Sequence, residues 1–434
     1  MNTTTNRIAV SWRLGDVTLV VVMMAVAGLG RADDLATPVS SASVSNWPGW
    51  RGPGGRNVSP DDEPPLWWSV ASGVEWTAPI PGRGHASPSV DDNFVFIASA
   101  DEESSEQLLL ALDRRTGRRL WQTVVHRGPL PAIHETNSHA SATPVCHGGR
   151  VYTLFAQLGA LTLSAIDYSG QILWQRQVGR YEHANGLGAS PAVFRDLVIV
   201  ANDNPTDPSI VAFATDGSVR WRVDRKPSEN SASPVVAHVA GVDQLLINGA
   251  FGVHSYSPLT GVELWRVEHS TEVAASTMAF DDQLVAASGN VPEPLMLVVD
   301  AGGTGDVTDT HILWSAAKEN PYVPSPLVVD QRLLLVTDGG VASCRDLRTG
   351  RVLWKKRLGG NFSASPVLAA NHVYAINEDG VTYVFRTEPE FELVARNDLG
   401  QRCLATPAMC GNRIFVRTEG HLYCIRGAQQ PAPQ

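Results

Sequence analysis

The chain has 434 residues, a formal net charge of −10, 43% hydrophobic residues and five cysteines. An acidic chain of this kind is not expected to bind nucleic acid, because nucleic-acid-binding surfaces are basic. The cysteines are too few and too widely spaced for a disulfide scaffold and have no zinc or haem-attachment spacing, although one bridge among Cys403, Cys410 and Cys424 is possible.

Residues 1–32 have the pattern of a cleaved export signal. Arg7 and Arg13 precede an apolar run from Val17 to Gly30, and Gly30-Arg31-Ala32 is an acceptable small-x-small cleavage site. The apolar run is short for a membrane span. We therefore expect an exported protein, periplasmic or extracellular, that has no membrane span after cleavage.

Residues 33–72, which we call the strap, contain four tryptophans in the stretches NWPGWRGPGG and PPLWW. That many tryptophans would be unusual in a free linker, so we expect an irregular segment packed across the rest of the fold. Residues 428–434 are expected to form a flexible tail.

Residues 73–427 contain two recurring patterns. ALDRRTGRRLW, from Ala111 to Trp121, returns most closely as SCRDLRTGRVLW at Trp354. A marker of a small residue, then Ser or Thr, and usually Pro precedes an apolar run in eight places, 40 to 56 residues apart. Repeats of this period indicate a propeller or a solenoid.

Each period contains runs of β-forming residues separated by turns, as expected for a four-stranded meander. Eight meanders arranged radially predict an all-β, eight-bladed β-propeller of antiparallel blades. The eighth copy lacks its last hairpin, whereas Trp76 precedes the first marker without its own repeat. We therefore predict that the N-terminal strand Val74 to Ile80 pairs with His421 to Ile425 and completes the last blade.

A tryptophan follows most of the Thr-Gly turns at a fixed distance. That spacing predicts structural docking of each indole between neighbouring blades, where it buries roughly 150–250 Å². The tryptophans concerned are Trp76, Trp121, Trp174, Trp221, Trp265, Trp314 and Trp354.

The repeat resembles the tryptophan-docking motif of the pyrroloquinoline-quinone-like (quinoprotein) β-propeller family. The opening WPGWRGP and the run GGNFSASP are similar to its secreted, BamB-like members. The resemblance implies an eight-bladed propeller and two possible activities. One is non-enzymatic binding of a partner through loops; the alternative is a dehydrogenase of alcohols or sugars that depends on the quinone PQQ and calcium. Such dehydrogenases typically carry a vicinal Cys-Cys pair, and this chain has none.

The loops between each tryptophan and the next marker are rich in polar residues and are expected to converge on one face, near the channel. They form our candidate binding site for an envelope protein or a small ligand. Its residues are Arg83, His85, His134, Asn137, His139, His183, Asn185, Asn230, Tyr322, Asn361 and Arg402.

The polar residues of these loops have two alternative roles. Asn, Ser and His at strand entries can simply satisfy their own turn backbone. His126, His134 and His139 could hold a metal, but their spacing fits no standard site. The acidic residues of Asp300 to Asp309 do not follow the EF-hand calcium pattern, so an enlarged hairpin is expected there. No catalytic motif is found, and we predict a monomeric binding scaffold with no catalytic residue, metal or cofactor.

Overall fold

The computed structural model describes residues 45–61, 63–388 and 390–428. The predicted export signal and most of the tail lie outside these residues. The described chain forms eight sheets, each with four antiparallel strands in meander order. The prediction of an all-β, eight-bladed propeller is therefore confirmed.

The strands of each blade are given from the channel outward. Blade one comprises β3 (Ser89–Asp91), β4 (Phe94–Asp101), β5 (Glu106–Asp113) and β6 (Arg119–Arg127); blade two β7 (Val145–His147), β8 (Arg150–Gln157), β9 (Ala160–Asp167) and β10 (Ile172–Gly179); blade three β11 (Ala192–Phe194), β12 (Leu197–Asn202), β13 (Ser209–Ala214) and β14 (Val219–Asp224); blade four β15 (Val235–Val239), β16 (Val242–Gly249), β17 (Gly252–Tyr256) and β18 (Glu263–Glu268).

The second half of the ring follows the same order. Blade five comprises β19 (Ala279–Phe280), β20 (Leu284–Gly289), β21 (Leu295–Asp300) and β23 (Ile312–Ala316); blade six β24 (Leu327–Val329), β25 (Arg332–Val336), β26 (Val341–Asp346) and β27 (Val352–Arg357); blade seven β28 (Val367–Ala369), β29 (His372–Ile376), β30 (Val381–Arg386) and β31 (Glu392–Asp398); blade eight β32 (Ala408–Met409), β33 (Ile414–Arg417), β34 (His421–Ile425) and β2 (Val74–Pro79).

The ring closes in the last blade, where the N-terminal strand β2 is the outermost strand. It pairs antiparallel with β34, from Val74 opposite Ile425 to Pro79 opposite His421. The prediction of closure by an N-terminal strand is therefore confirmed. Closure gives the last blade its outer strand and so covers the edge of β34, which could otherwise pair with another molecule.

The middle two strands of each blade form the core. β12 and β13 of blade three are buried at every position, and β4 and β5 of blade one are buried at all but their end residues. These runs are apolar on both faces because each blade is packed between two others, so they read as continuous rather than alternating apolar stretches. All five cysteines are buried free thiols, so no bridge forms among the last three.

Aspartate and glycine build the turns that precede the outer strands. The Asp113 carboxylate accepts hydrogen bonds from the amide and hydroxyl of Thr116, both at 2.8 Å. Gly117 follows with φ of 70°, a conformation that glycine adopts without strain. The repeat Asp-x-x-Thr-Gly is therefore a hydrogen-bonded turn.

The enlarged hairpin of blade five adds structure to its neighbour. Between β21 and β23 it contains β22 (Gly305–Asp306) and the single helical turn α1 (Thr308–His311). β22 pairs in parallel with β18 and so becomes a fifth strand at the outer edge of blade four. The extra length of this repeat therefore covers an exposed strand edge.

The turns between the first and second strands of the blades surround one end of the channel. The described part of the strap crosses that end. It contains β1 (Val58–Ser59), which pairs in parallel with β28, and the short 3-10 turn Pro53–Gly55. Its hydrogen bonds reach six blades, through Trp47 to Val90, Pro48 to Cys146, Trp50 to Thr277, Arg51 to Pro326, Asn57 to Pro366 and Ser59 to Met409. The strap is therefore tied to most of the ring.

Candidate functional site

The Ser or Thr of the marker forms a hydrogen-bonded belt around the channel. At six junctions between blades, the backbone N–H of one marker residue donates to the marker hydroxyl of the next blade. The donor and acceptor pairs are Ser87 and Thr143, Thr143 and Ser190, Ser190 and Ser233, Thr277 and Ser325, Ser325 and Ser365, and Ser365 and Thr406, at 2.9 to 3.0 Å. The marker hydroxyl is therefore structural, a role that the sequence did not reveal.

At the junction of blades four and five, the strap takes part in this belt. The hydroxyl of Thr277 accepts a hydrogen bond from the indole N–H of Trp50 at 2.8 Å, in the position where a bond from the preceding marker would arrive. Trp50 also lines cavities on both of its sides. The strap therefore places an indole across the channel.

Above Trp50, a cavity of about 730 Å³ opens on the face opposite the strap. We define the entry loops as the segments that lead into each inner strand: 80–88, 128–144, 180–191, 225–234, 269–278, 317–326, 358–366 and 399–407. Every one of the eight entry loops contributes at least one residue to this entry-loop cavity. It is thus formed by the ring as a whole, and its volume is in the range of small-molecule and peptide sites.

Seven of the eleven predicted site residues line the entry-loop cavity: His85, His134, Asn137, Asn185, Tyr322, Asn361 and Arg402. Among the described residues, the side chains of Asn185, Asn361 and Tyr322 make no hydrogen bond. Their amide and hydroxyl groups are therefore available to a ligand.

Two of the seven are already engaged by residues of the entry loops, and Arg402 pairs with Glu378 and Glu419. The Asn137 side chain donates to the carbonyl of Asn185 at 2.6 Å and accepts from the hydroxyl of Ser141, also at 2.6 Å. The ring of His134 bonds the hydroxyl of Thr136 in its own loop. The side chains of Asn137 and His134 therefore serve to stabilise the entry loops themselves.

The remaining four predicted residues do not line the cavity. Arg83 donates to the carbonyl of Glu135 at 3.0 Å, and His139 lies between Glu102 and the carbonyl of Pro131. His183 is buried, and its ring stacks on Tyr181.

Among these four residues, Asn230 is the one whose side-chain amide has the most hydrogen-bond partners. It donates to Asp203 and to the carbonyl of Asn248, both at 2.8 Å, and accepts from the amide of Ala274. Asp203 in turn forms a buried ion pair with Arg225 at 2.7 Å. Asn230 therefore joins blades three, four and five. A short polar side chain at a strand entry looks the same in sequence whether it faces the channel or a neighbouring loop.

Three lining residues with charged or aromatic side chains lie outside the loops that the sequence prediction covered. Asp338 and Glu378 lie in turns between second and third strands, and Trp50 lies in the strap. The sequence prediction covered only the loops between tryptophan and marker. The turn sequences TDGG and NEDG carry acidic residues, and in an antiparallel meander the turn between the second and third strands returns to the face of the entry loops. The predicted fold therefore contained the signal that could have found Asp338 and Glu378.

The charged groups of the cavity neutralise one another in part. Arg402 is 3.6 Å from Glu378 and 3.3 Å from Glu419. The carboxylate of Asp338 accepts from the amides of Tyr322 and Val323, at 2.7 and 3.1 Å. Burial and the neighbouring Asp338 raise the pKa of Tyr322. The cavity therefore presents a ligand with positively and negatively charged side chains and with a protonated phenol.

His85 lies at the side of the cavity where blade eight meets blade one. Burial, followed by the charges of Arg83, Arg417 and Arg402, lowers the pKa of its imidazole to about 3. Its Nε2 atom is buried and has no hydrogen-bond partner among the described residues. His85 is therefore neutral at physiological pH and retains hydrogen-bonding capacity.

The three histidines proposed as possible metal ligands are not brought together. His126 lies on β6, His134 is held by Thr136, and His139 is held by Pro131 and Glu102. Across residues 45–61, 63–388 and 390–428, no group of three or more His, Cys, Asp or Glu side chains could hold a metal ion.

The profile of the family described as outer membrane protein assembly factor BamB matches three overlapping segments, residues 53–205, 138–291 and 249–389. Together they span most of the propeller. The chain belongs to this family. BamB of Yersinia pestis is 21% identical over 343 residues, covering 79% of this chain and 74% of that protein.

Solved structures share the fold. BamB from Moraxella catarrhalis superposes with a TM-score of 0.58 at 14% identity, covering 83% of this chain and 99% of that one. The quinohemoprotein alcohol dehydrogenase of Comamonas testosteroni gives a TM-score of 0.62 at 12% identity, covering 90% of this chain and 82% of that one. Identities this low show the fold alone, so the function depends on the residues of the site.

The lining does not fit the calcium ion that the family resemblance implies for the alternative, dehydrogenase activity. Calcium takes six to eight oxygen ligands, and clustered carboxylates usually supply several of them. The described lining has two carboxylates: Asp338 is bonded to two backbone amides, and Glu378 to Ser363 and Arg402. No reaction step through a quinone follows from these residues.

Proposed function

We propose that this protein is an exported, non-enzymatic scaffold of the cell envelope that binds a protein partner through its entry-loop face. Membership of the BamB family supports a role in envelope assembly. The pattern of residues 1–32 supports export. Among the residues that the structure describes, no helix is long and apolar enough to cross a bilayer.

The observation that carries this proposal is the cavity to which all eight entry loops contribute. The opposite end of the channel is occupied by the strap, so a ligand has access from the entry-loop face. The free amides of Asn185 and Asn361 can bond a peptide backbone, which presents both donors and acceptors. Trp50 at the base of the cavity and Phe362 in its wall provide aromatic surface for a side chain.

These features favour an extended segment of an envelope protein as the occupant. A segment that inserts one side chain towards Trp50 would place its backbone among the amides and hydroxyls of the loops. Arg402 and Glu378 would bond groups of either charge after separating from one another. The side chains of Arg402 and Glu378 are 42% and 27% exposed, so separating the pair costs little, because water or the ligand replaces the lost contact.

The experiment compares three purified, tagged proteins as baits in a solubilised envelope fraction. They are the parent chain, the triple variant Asn185→Ala, Asn361→Ala and Arg402→Ala, and a control with Arg115→Ala and Arg348→Ala in turns remote from the entry loops. Retained proteins are quantified, and the affinity of the main partner is then measured by calorimetry. The triple variant should bind that purified partner at least about tenfold more weakly, as expected for the loss of several polar contacts.

Stability provides the second measurement, because surface substitutions usually change the unfolding free energy by less than about 0.5 kcal/mol each. The triple variant should therefore melt close to the parent. A partner that binds the triple variant and the parent equally well, but not the control, would contradict the proposal and move the binding surface away from the entry loops.

A further inference from the structure

The outer strand β27 of blade six is an open edge whose side chains are almost all exposed. Of its six residues, only Trp354 is not exposed. Val352 and Leu353 are 46% and 39% exposed, although both are apolar. β27 pairs with β26 on one side, and no strand of the described chain pairs with its other side. Its outward backbone N–H and C=O groups are therefore available to another strand.

β27 also carries a concentration of positive charge. The chain has four lysines and a net charge of −10. Two of the lysines, Lys355 and Lys356, are adjacent on β27 and are followed by Arg357. A third, Lys318, lies exposed in the entry loop that leads into blade six. This edge is therefore basic in an acidic protein and is complementary in charge to an acidic partner.

Little of this charge is neutralised within the described chain. Lys355 pairs with Glu319, and each of these side chains is 45% exposed. Arg357 donates to the backbone carbonyl of Gly339 at 3.1 Å, and neither Arg357 nor Lys356 forms an ion pair with a described residue. Arginines of three other outer strands do have carboxylate partners: Arg127 with Glu106, Arg222 with Asp207 and Arg266 with Glu263. β27 therefore retains an excess of positive charge.

Blade four shows, within the same molecule, what can cover such an edge. There β22 of the enlarged hairpin adds in parallel to the outer strand β18, with Gly305 opposite Trp265 and Asp306 opposite Arg266. The carboxylate of Asp306 pairs with Arg266 at 3.2 Å. An acidic extended segment is therefore compatible with the outer edge of a blade in this fold.

The outer strands of blades four and six have the same arrangement of tryptophan and cation. In blade four, Arg266 directly follows the docking residue Trp265. In blade six, Lys355 follows Trp354 in the same way. Trp265 is 1% exposed beneath the enlarged hairpin, whereas Trp354 is half-buried. Blade six therefore has a similar edge without the segment that covers it.

Cations on an open edge can also serve only to repel the edges of other molecules. That role applies to every outer strand that is left uncovered. No other outer strand of the described chain has two adjacent Lys or Arg residues. Repulsion alone therefore does not explain why the cluster is confined to blade six.

We propose that an acidic, extended segment of another protein adds to β27 as a fifth strand of blade six. Its backbone would take the outward hydrogen bonds of β27, and its carboxylates would pair with Lys355, Lys356 and Arg357. Val352 and Leu353 would gain apolar contacts. No residue of β27 lines the entry-loop cavity, so this surface does not depend on the proposed function.

The test uses two fluorescent peptides of equal length and charge. One has the strand-forming sequence Thr-Asp-Val-Glu-Val-Asp-Thr. In the other, both valines are replaced by proline, which cannot donate a backbone hydrogen bond. Fluorescence anisotropy at constant ionic strength gives the affinity of each peptide for the full chain. The valine peptide should bind at least about tenfold more tightly, because only it can form a complete ladder of hydrogen bonds.

The contribution of charge is tested with Lys355→Glu combined with Lys356→Glu. This double variant should bind the valine peptide at least about tenfold more weakly, because like charges then face one another. The matched control, Arg115→Glu with Arg118→Glu, makes the same change in net charge at an exposed turn of blade one and should bind as wild type does.

Hydrogen exchange locates the binding surface without any substitution. When the valine peptide is bound to wild type, the amides of β27 should be protected more than those of the other outer strands. Protection of another strand or of the entry loops instead would overturn the proposal. These measurements are unchanged if the entry-loop variants fail to affect partner binding, so the two proposals can fail separately.

Four further results would overturn the proposal. They are no binding of the valine peptide to wild type, equal affinity for the valine and proline peptides, an equal loss of affinity in both double variants, and self-association of wild type that Lys355→Glu with Lys356→Glu abolishes. The last result would make a second copy of this chain the occupant of the edge. Light scattering after gel filtration measures it.

Discussion

At the scale of single residues, the indole N–H of most repeat tryptophans donates a hydrogen bond to a backbone carbonyl of the following blade. Trp121 donates to Tyr168 at 2.8 Å and Trp314 to Leu347 at 2.8 Å. The glycine of the next turn lies beneath the indole: a Cβ added to Gly350 would be 2.7 Å from the ring of Trp314. The Thr-Gly glycine therefore serves both the turn and the contact between blades.

Trp265 differs from these tryptophans, because β22 of the enlarged hairpin pairs with its strand and its indole bonds its own blade. Its indole donates to Gln244 in its own blade at 2.7 Å and is 1% exposed. We expect Trp265→Ala to lower the unfolding free energy by about 3–5 kcal/mol, the usual cost of removing a large buried side chain. Trp221→Ala should cost less, since that indole is only half-buried. Chemical denaturation of both variants checks this order, and equal losses would contradict it.

His85 gives a pH-dependent prediction. The unfolded imidazole takes up a proton near pH 6.5 and the folded one near pH 3. Between these values the unfolded state binds more protons, so stability falls as the pH is lowered, by at most about 1.4 kcal/mol per pH unit for this group.

His85→Gln should therefore make the unfolding free energy less sensitive to pH between about 6.5 and 3. Asn361→Ala, which changes a lining residue without removing a titratable group, is the control and should leave the pH dependence of the unfolding free energy as in wild type. Denaturation curves at a series of pH values provide the measurement. If the unfolding free energy depended on pH in the same way for wild type and His85→Gln, this histidine would not be held neutral by burial in the folded protein.

At the scale of elements, two N-terminal segments hold the ring together in different ways. β2 supplies the outer strand of blade eight, through an antiparallel ladder with β34. The strap adds only the short strand β1, but its side chains and carbonyls bond six blades. The first segment covers a free edge, and the second limits movement of blades relative to one another.

Truncation separates these two contributions. A chain that begins at Gly73 keeps β2 and should remain monomeric, with a lower melting temperature because the ties of the strap are lost. A chain that begins at Ala86 also loses β2 and exposes the edge of β34, so it should aggregate. Calorimetry and light scattering after gel filtration test both. A monomeric chain beginning at Ala86 that is as stable as the longer one would contradict this account of closure.

At the scale of the whole molecule, the ring gives the protein two unlike ends. One end is crossed by the strap, with Trp50 bonded to Thr277. The other carries the cavity that all eight entry loops line. Because each blade contributes one loop to the same face, a few polar residues per repeat produce a large composite site, and the core of the blades can stay apolar.

The amino-acid sequence was enough to predict the eight blades, the closure by a strand from Val74 to Ile80 and the region of the candidate site. These follow from local chemistry: turn residues, apolar runs and a fixed repeat length specify a blade without reference to its neighbours. Seven of the eleven predicted residues line the cavity for the same reason, since the entry loops of a propeller necessarily converge.

Which polar side chains are free became evident only from the folded chain. Asn230 and Asn361 both lie in entry loops, yet Asn230 is bonded to Asp203 and Asn248, and the Asn361 amide makes no bond to the described residues. The strap is similar: its sequence shows four tryptophans, but not that Trp50 meets Thr277, 227 residues away. Such partners come from distant repeats, and whether a polar group is satisfied depends on those partners rather than on its neighbours in the chain.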